Sequence, residues 1–485
     1  MKYFSTVSFL AIIIFGAAIF FRESFTNFFF QDDFFNMTLA QSQNLANAFN
    51  IFKRPILDFY FYRPLTTQFF WTVGWQLFGW NQTGYHLITF LFFIINIILV
   101  YYLATLLTKS RLTVFLTTFF YAFSSTHFYR LFFLSQFQEI GLATGVFLTV
   151  IFYIKKSRWS LLFLALSLMS KETAAVTPVI LLACDLFFRK KVGKLFIAHC
   201  SLPIFYLLAR FMFFGLASGG TYVWDFSPKQ VANNFFWYGL WSLGIPEAFV
   251  NLKILFVTKL NDLGQFQAFY FVNPEVFTAF GIWGGPIILT FSLFIFTVAL
   301  FIKIKTLLIH VGKEIFFGAA IFIIFLLPVA FFPFHKFAYS LTVPIFGVSF
   351  ILANLVVNFP ARFLIATLFF YSLLFYFTTQ YNLSHHWATG KAFTAEKVFG
   401  YLKENSPLVK SYRNIYFQND DRNYCSLQKP GKDLSSEVAY GIGGQEGLRL
   451  LYNNPTLTTY FWDWDKNANL FADSLILDSR LFLRR

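Results

Sequence analysis

The strongest constraint on this chain is its string of apolar stretches. They run over residues 4–21, 84–107, 112–128, 137–154, 159–170, 173–188, 195–217, 276–302, 314–333, 337–356 and 361–380. A bilayer is crossed by roughly 20 apolar residues in helical form, so the pattern predicts an all-α polytopic membrane protein with about eleven transmembrane helices. Composition agrees. The chain is 57% hydrophobic and 13% charged, which excludes an ordinary soluble domain. Phe contributes 75 residues and carries the apolar load that Leu usually carries. The first stretch follows Lys2 as a signal peptide would, but its apolar run is longer than a signal core and reads as a retained first span.

The net charge of +15 would suggest nucleic acid in a soluble protein. Here the basic residues gather in short loops between spans: Lys109 and Arg111; Lys155, Lys156 and Arg158; Arg189, Lys190, Lys191 and Lys194; Lys303 and Lys305. One orientation places all of these loops in the cytoplasm, so the positive-inside rule accounts for them and no nucleic-acid partner is expected. The same orientation puts the loop 22–83, the long loop 218–275 and the C-terminal region outside. Amphipathic segments of the first loop predict helices lying on the membrane surface. The expected organisation is a transmembrane domain over 1–383 and a small extracytoplasmic α/β domain over 384–485. Within the latter, helices are predicted near 393–405 and 443–453 and strands near 413–418 and 456–462. Cys184, Cys200 and Cys425 show no metal-ligand or disulfide spacing.

Acidic residues are scarce ahead of the C-terminal region, and Asp32 and Asp33 stand side by side just past the first span. Two carboxylates at a membrane exit are poorly solvated, which marks them as functional candidates against the plain reading of a helix end. Glu139, in SQFQEIG, lies near the outer end of its span. The outward cations are also few: Arg63 beside Tyr62 in YRPL, Arg130 in THFYR, Lys171 beside Glu172 in MSKETAA, and His335 and Lys336 in PFHKFAY, with Tyr339 one turn on. Each has an ordinary alternative. An isolated Arg snorkels to headgroups, and Lys171–Glu172 reads as an ion pair tolerated at membrane depth. The GIGGQEG segment at 441–447 lacks the dinucleotide spacing and reads as a helix start. Asp463 and Asp465 alternate as on a solvated strand face.

The order of these features resembles the GT-C superfamily of polytopic glycosyltransferases, which includes protein O-mannosyltransferases, the tetratricopeptide-bearing transmembrane mannosyltransferases and the bacterial transferases that add aminoarabinose to lipid A. The resembling pieces are QDDFF directly after the first span, DFYFYRPLTTQFFW, GYHLITFLFFIINIILVYYL and LSLMSKETAAVTPVILLACDLFF. They cover residues 1–190. Residues 195–380 match only as a pattern of spans, with PFHKFAYSLTVPIFG similar to a late family segment, and the C-terminal domain is not covered. There are no tetratricopeptide repeats, and Asp33 stands where the mannosyltransferase pattern often has Glu.

The resemblance implies a multi-pass protein of the bacterial plasma membrane and an inverting transfer. A polyprenyl-phosphate-linked sugar in the bilayer would be the donor; a protein, glycan or lipid would accept from outside. Asp32 matches the family's catalytic acidic residue and Asp33 its neighbour, with Glu139 as a second acidic site. A base readies an acceptor hydroxyl for attack, and a carboxylate suits an oxocarbenium-like transition state. Arg63, Lys171 and Lys336 are the expected phosphate contacts; Tyr62, Arg130, Glu172, His335 and Tyr339 complete the expected substrate-binding set. No cofactor is certain. A divalent cation, Mg or Mn, would fall to Asp32 and Glu139. The competing functions are a transporter or flippase of lipid-linked sugars and an inactive assembly protein on the same scaffold.

Overall fold

A helix satisfies its own backbone hydrogen bonds in lipid, where water cannot, and this apolar chain is mostly helical with one small sheet. The computed structural model of the protein describes residues 5–43, 52, 61–189, 192, 194–215, 222–247, 280–304, 312–409, 412–419, 434–465 and 474–483. Its principal helices, in chain order, are α1 (Thr6–Phe20), α2 (Asp32–Gln41), α3 (Phe70–Phe78), α4 (Gln82–Leu107), α5 (Arg111–Ala122), α6 (His127–Phe132), α7 (Phe137–Ile154), α8 (Trp159–Ser170) and α9 (Thr177–Cys184). They continue with α10 (Lys194–Phe214), α11 (Pro228–Ser242), α12 (Gly285–Ile304), α13 (Lys313–Ala330), α14 (Pro344–Val356), α15 (Ala361–His385), α16 (Trp387–Glu404), α17 (Leu434–Ile442) and α18 (Glu446–Tyr452).

Six helices among the described residues are long and apolar enough to cross a membrane by length and composition: Gln82–Leu107, Leu134–Ile154, Lys194–Phe214, Ile282–Ala299, Lys313–Ala330 and Ala361–Glu404. The remaining five predicted spans are shorter or broken, three of them for a local reason. The stretch 112–128 breaks after Ala122, where the Ser124 and Thr126 hydroxyls bond to each other at 2.9 Å and compete with the helix. The stretch 173–188 opens as a 3-10 turn over Glu172–Val176 and becomes α-helical only at Thr177, with Pro178 in the first turn. The stretch 337–356 begins with another 3-10 turn, and Pro344 starts the helix proper. Helices α13 and α14 cross closely enough that a Cβ on Gly347 would stand 2.3 Å from the Gly318 carbonyl oxygen. Small residues at such crossings are how apolar helices pack without a hydrophobic drive.

The C-terminal region forms a three-stranded parallel sheet in the order β2-β1-β3, with β1 over Asn414–Gln418, β2 over Thr458–Phe461 and β3 over Ser474–Asp478. Ile415 is in register with Thr459 and Leu475. The predicted strands are present; β3 and α17 were not foreseen. The GIGGQEG segment closes α17, turns through Gly443 and Gly444, and starts α18 at Glu446. Asp463 and Asp465 are a correction, because they follow β2 in a turn and are bonded there. Asp463 accepts from Asn419 Nδ2 (2.9 Å), Ser435 Oγ (2.8 Å) and Ser436 N (2.9 Å) at the start of α17. Asp465 accepts from Phe461 N at 2.8 Å.

The helices of the first loop also depart from expectation. They are buried between the helical bundle and the C-terminal unit: Phe34, Met37 and Trp71 are fully enclosed. Phe34 stacks on Phe399 of α16 at 5.0 Å, and one continuous core joins Phe29, Phe30 and Trp71 to Val398, Ile415 and Val438. Residues 44–51 of the amphipathic stretch 37–52 lie outside the described residues. In the loop 218–275, only 222–247 is described; there α11 packs on α13, and Asn234 Nδ2 donates to the Ala330 carbonyl at 2.8 Å.

The turn after α17 pins the start of α2. Gln31 N donates to the Gly441 carbonyl at 3.0 Å. Gln31 itself has φ of 52°, a backbone region that non-glycine residues rarely adopt. Gly443 has φ of 66°, and a Cβ there would stand 2.7 Å from the Gln31 carbonyl oxygen. Gly444 has φ of 65° with open space around it. Gly444→Ala is therefore expected to lose only the left-handed backbone term, about 1–2 kcal/mol. Gly443→Ala should lose more, because it also pushes on Gln31; thermal unfolding of the two variants side by side reads the difference.

Candidate functional site

The adjacent carboxylates have different surroundings. Asp33 is buried (1% exposed). Its Oδ1 accepts from Ser135 N (2.9 Å) and Ser135 Oγ (2.5 Å), and its Oδ2 accepts from Phe30 N (3.2 Å). Burial pushes its carboxyl up to about 8 against the pull of these hydrogen bonds. Asn36, one turn along α2, donates to Ser135 Oγ at 3.1 Å and so completes the staple. Removing the side chain in Asp33→Ala leaves two buried N–H groups unanswered and is expected to cost about 3 kcal/mol, measurable as a lowered unfolding midpoint.

Asp32, by contrast, is exposed. Lost solvation nevertheless raises its carboxyl above the ordinary range, with Lys391 pulling it back. The carboxylate is thus open to solvent with protein groups from several elements within electrostatic reach. Three elements besides α2 face it: Lys391 of α16, Glu446 of α18, and Tyr222 from the segment ahead of α11.

Tyr222 links Asp32 to a second group of charges, since it also lies within electrostatic reach of Arg63, Glu172 and Arg210. Arg63 is buried and grips Glu172 with both arms, Nε–Oε2 at 2.9 Å and Nη2–Oε1 at 2.5 Å. It also donates to Gln138 Oε1. Its guanidinium lies 4.2 Å from the Phe61 ring centroid, with Arg210 of α10 near the same ring at 5.7 Å. Arg63 therefore does not snorkel. Lys171 and Glu172 do not pair with each other; Lys171 is buried and bonds to Glu139, itself 2% exposed. The Tyr339 ring covers the Lys171 ammonium at 4.9 Å.

The segment Ser135–Glu139 is the hub of this arrangement. Ser135 holds Asp33, Gln138 holds Arg63, and Glu139 holds Lys171. A 3-10 turn over Leu134–Gln136 leads into α7 and aims successive side chains at different partners.

The other predicted residues divide. His335 joins the group: its Nε2 pairs with Tyr339 Oη at 2.6 Å and its ring lies 4.2 Å from Tyr222. Burial, with Lys171 and Arg63 nearby, pushes it down to about 3, so it is neutral at pH 7 and is not an added positive charge. Tyr62 donates to the Phe52 carbonyl at 2.8 Å and packs on Phe214 at the end of α10. Lys336 turns to a different neighbour, Glu247, and burial lowers its ammonium to about 8. Glu247 Oε2 also lies 3.6 Å from His386 Nε2.

Arg130 has backbone partners. It is fully buried and ties α6 to the turn at 338–341. Its Nη1 donates to the Ala338 and Tyr339 carbonyls, both at 3.0 Å, and its Nη2 lies 2.8 Å from His127 Nδ1. It serves the scaffold.

Were a divalent cation bound, Glu139 is the residue that would share it with Asp32. Its bond to Lys171 closes it off, and among the described residues no three His, Cys, Asp or Glu side chains converge as a cation site. The arrangement does not fit Mg or Mn.

Residues not singled out in the sequence include Ser135, Gln138, Arg210, Tyr222, Glu247, Lys391 and Glu446. Ser135 and Gln138 flank Glu139 in a polar run at a span's end, a signal that was available. Lys391 and Glu446 come from a region with mixed charge, where nothing distinguishes two residues from their neighbours. No protein-family model matches the chain, and no curated protein matches it.

Proposed function

We propose that the chain is an inverting glycosyltransferase of the GT-C type. It would move a sugar from a polyprenyl-phosphate donor in the bilayer to an acceptor on the outer face of a bacterial plasma membrane, with Asp32 as general base. The eleven-span topology and the extracytoplasmic placing of the site belong to this reading. The observation that carries it is the division of labour in the acidic pair: Asp33 is stapled into the scaffold while Asp32 stays open to solvent.

The chemistry follows from that placement. The acceptor hydroxyl gives its proton to Asp32 as its oxygen bonds to the anomeric carbon. The bond from that carbon to the phosphate oxygen breaks, and polyprenyl phosphate leaves with the electron pair. Arg63, Arg210 and Lys171 gather cationic groups beside Glu172 and Glu139. Such cations suit the charge growing on a lipid phosphate, and exclusion of water by the bound donor would strengthen them. Arg210 sits on α10, whose side chains Ile204, Phe205, Leu208 and Met212 are exposed, as a lipid-facing helix requires.

Purified protein in proteoliposomes with a radiolabelled polyprenyl-phosphate sugar and an outer-membrane or cell-wall acceptor extract tests the proposal. Label is expected in the acceptor fraction. Passage of the intact lipid-linked sugar across the bilayer without a new glycosidic bond would instead establish a flippase.

A further inference from the structure

The C-terminal unit supplies two of the three outside groups that face Asp32, and one of them is a cation. Lys391 sits on α16, five residues after the bend at His386 where the chain leaves the bundle. Its side chain is 14% exposed. Its Nζ lies 4.1 Å from the Tyr440 ring centroid and 5.8 Å from that of Trp387. Glu437 Oε2 is 3.9 Å away, too far for a hydrogen bond. The ammonium is thus held by ring faces and divided between two carboxylates, Glu437 on α17 and Asp32 on α2.

The backbone fixes this geometry from both sides. A Cβ on Gly441 would stand 3.3 Å from the Lys391 carbonyl, so α17 lies close against α16 there. The Gly441 carbonyl in turn accepts from Gln31 N, the residue before Asp32. A residue with a strained backbone persists only where its surroundings over-determine it, and here the surroundings of Gln31 are the C-terminal unit. The titratable groups around Asp32 are Asp33 on its own helix, Glu446 on α18, Tyr222 and Lys391. Three of these are acidic groups, which leaves Lys391 as the cation of the set.

We propose that Lys391 is the counter-ion that positions Asp32, so that the C-terminal unit completes the site. This rests on reading Asp32 as the working carboxylate. Lys391 acts through Asp32 and is a positioning residue.

The test uses the full-length protein in nanodiscs and dicyclohexylcarbodiimide, which couples to protonated carboxyls; mass spectrometry locates the adduct. Labelling of Asp32 is followed across pH in the wild type, Lys391→Met, Lys391→Arg and Glu437→Gln. Losing a nearby positive charge favours the protonated acid, so Lys391→Met should move the labelling midpoint up by about one pH unit. Lys391→Arg should hold the wild-type midpoint. Glu437→Gln should move it down, because Lys391 then answers to Asp32 alone; this variant keeps the test alive if Lys391→Met misfolds. Equal midpoints in wild type and Lys391→Met, or an unmoved midpoint in Glu437→Gln, overturn the proposal. Labelling needs no sugar donor, so a shifted midpoint without sugar transfer would sink the glycosyltransferase reading and leave the Lys391–Asp32 pairing standing.

Discussion

Asp32→Asn is expected to lower kcat/KM for sugar transfer by about 10²–10⁴-fold, the usual worth of a general base, while leaving the protein folded. The amide keeps the shape of the side chain and cannot take the acceptor's proton. Asp32 is exposed, and no hydrogen bond from its carboxylate to another described residue helps to hold the fold, so little stability depends on its charge. Asp33→Ala should behave in the opposite way, because its oxygens answer Ser135 and Phe30 inside the protein. The pair of variants therefore separates chemistry from scaffold. Transfer rates with a polyprenyl-phosphate donor and unfolding midpoints in detergent read the two effects. Full activity in Asp32→Asn would remove Asp32 from the role of base.

The second large effect concerns the bond between Glu139 and Lys171, both buried. Glu139→Leu alone leaves an ammonium enclosed by the Tyr339 ring without its counter-charge, and Lys171→Met alone leaves a buried carboxylate in the same state. Breaking a buried pair from one side costs about 3–5 kcal/mol. The double variant removes both charges and their desolvation together, so it should recover most of that loss. Unfolding titrations of the four proteins give the coupling as a double-mutant cycle. Single losses that simply add in the double variant would show that the two groups are not a pair. The result bears on function too, since this bond sets the entry to α9 and with it the position of Glu172, which grips Arg63.

The bundle was legible in the sequence because lipid imposes one solution on a long apolar stretch, and the long helices α4, α7, α10, α13 and α15 follow the predicted stretches closely. Breaks at 123–126 and 337–343 were not legible, since hydroxyls, a 3-10 turn and a proline interrupt helices without lowering the hydropathy of the window. The small sheet was half legible: β1 and β2 carry short runs of β-branched and aromatic residues, while β3 follows a segment without a clear turn signal. Trp71 lies in an amphipathic segment that reads as surface-lying and is core, because amphipathicity states that a face is apolar and does not state what covers it.

The sequence by itself determined that Asp32 and Asp33 are special, through scarcity and place. It also named Glu139, Arg63, Lys171 and Glu172 as candidates on one side of the membrane, and the structure joins those four through direct bonds and through Gln138. Only the tertiary structure decided who pairs with whom. Lys171 takes Glu139 in place of its neighbour Glu172, Arg63 takes Glu172, Arg130 goes to backbone carbonyls, and Lys391 arrives beside Asp32 from nearly 360 residues away. Partners of charged groups are chosen by distance and by desolvation, and neither is a property of sequence spacing. For the same reason, two adjacent aspartates of identical chemistry became a buried staple and an open carboxylate.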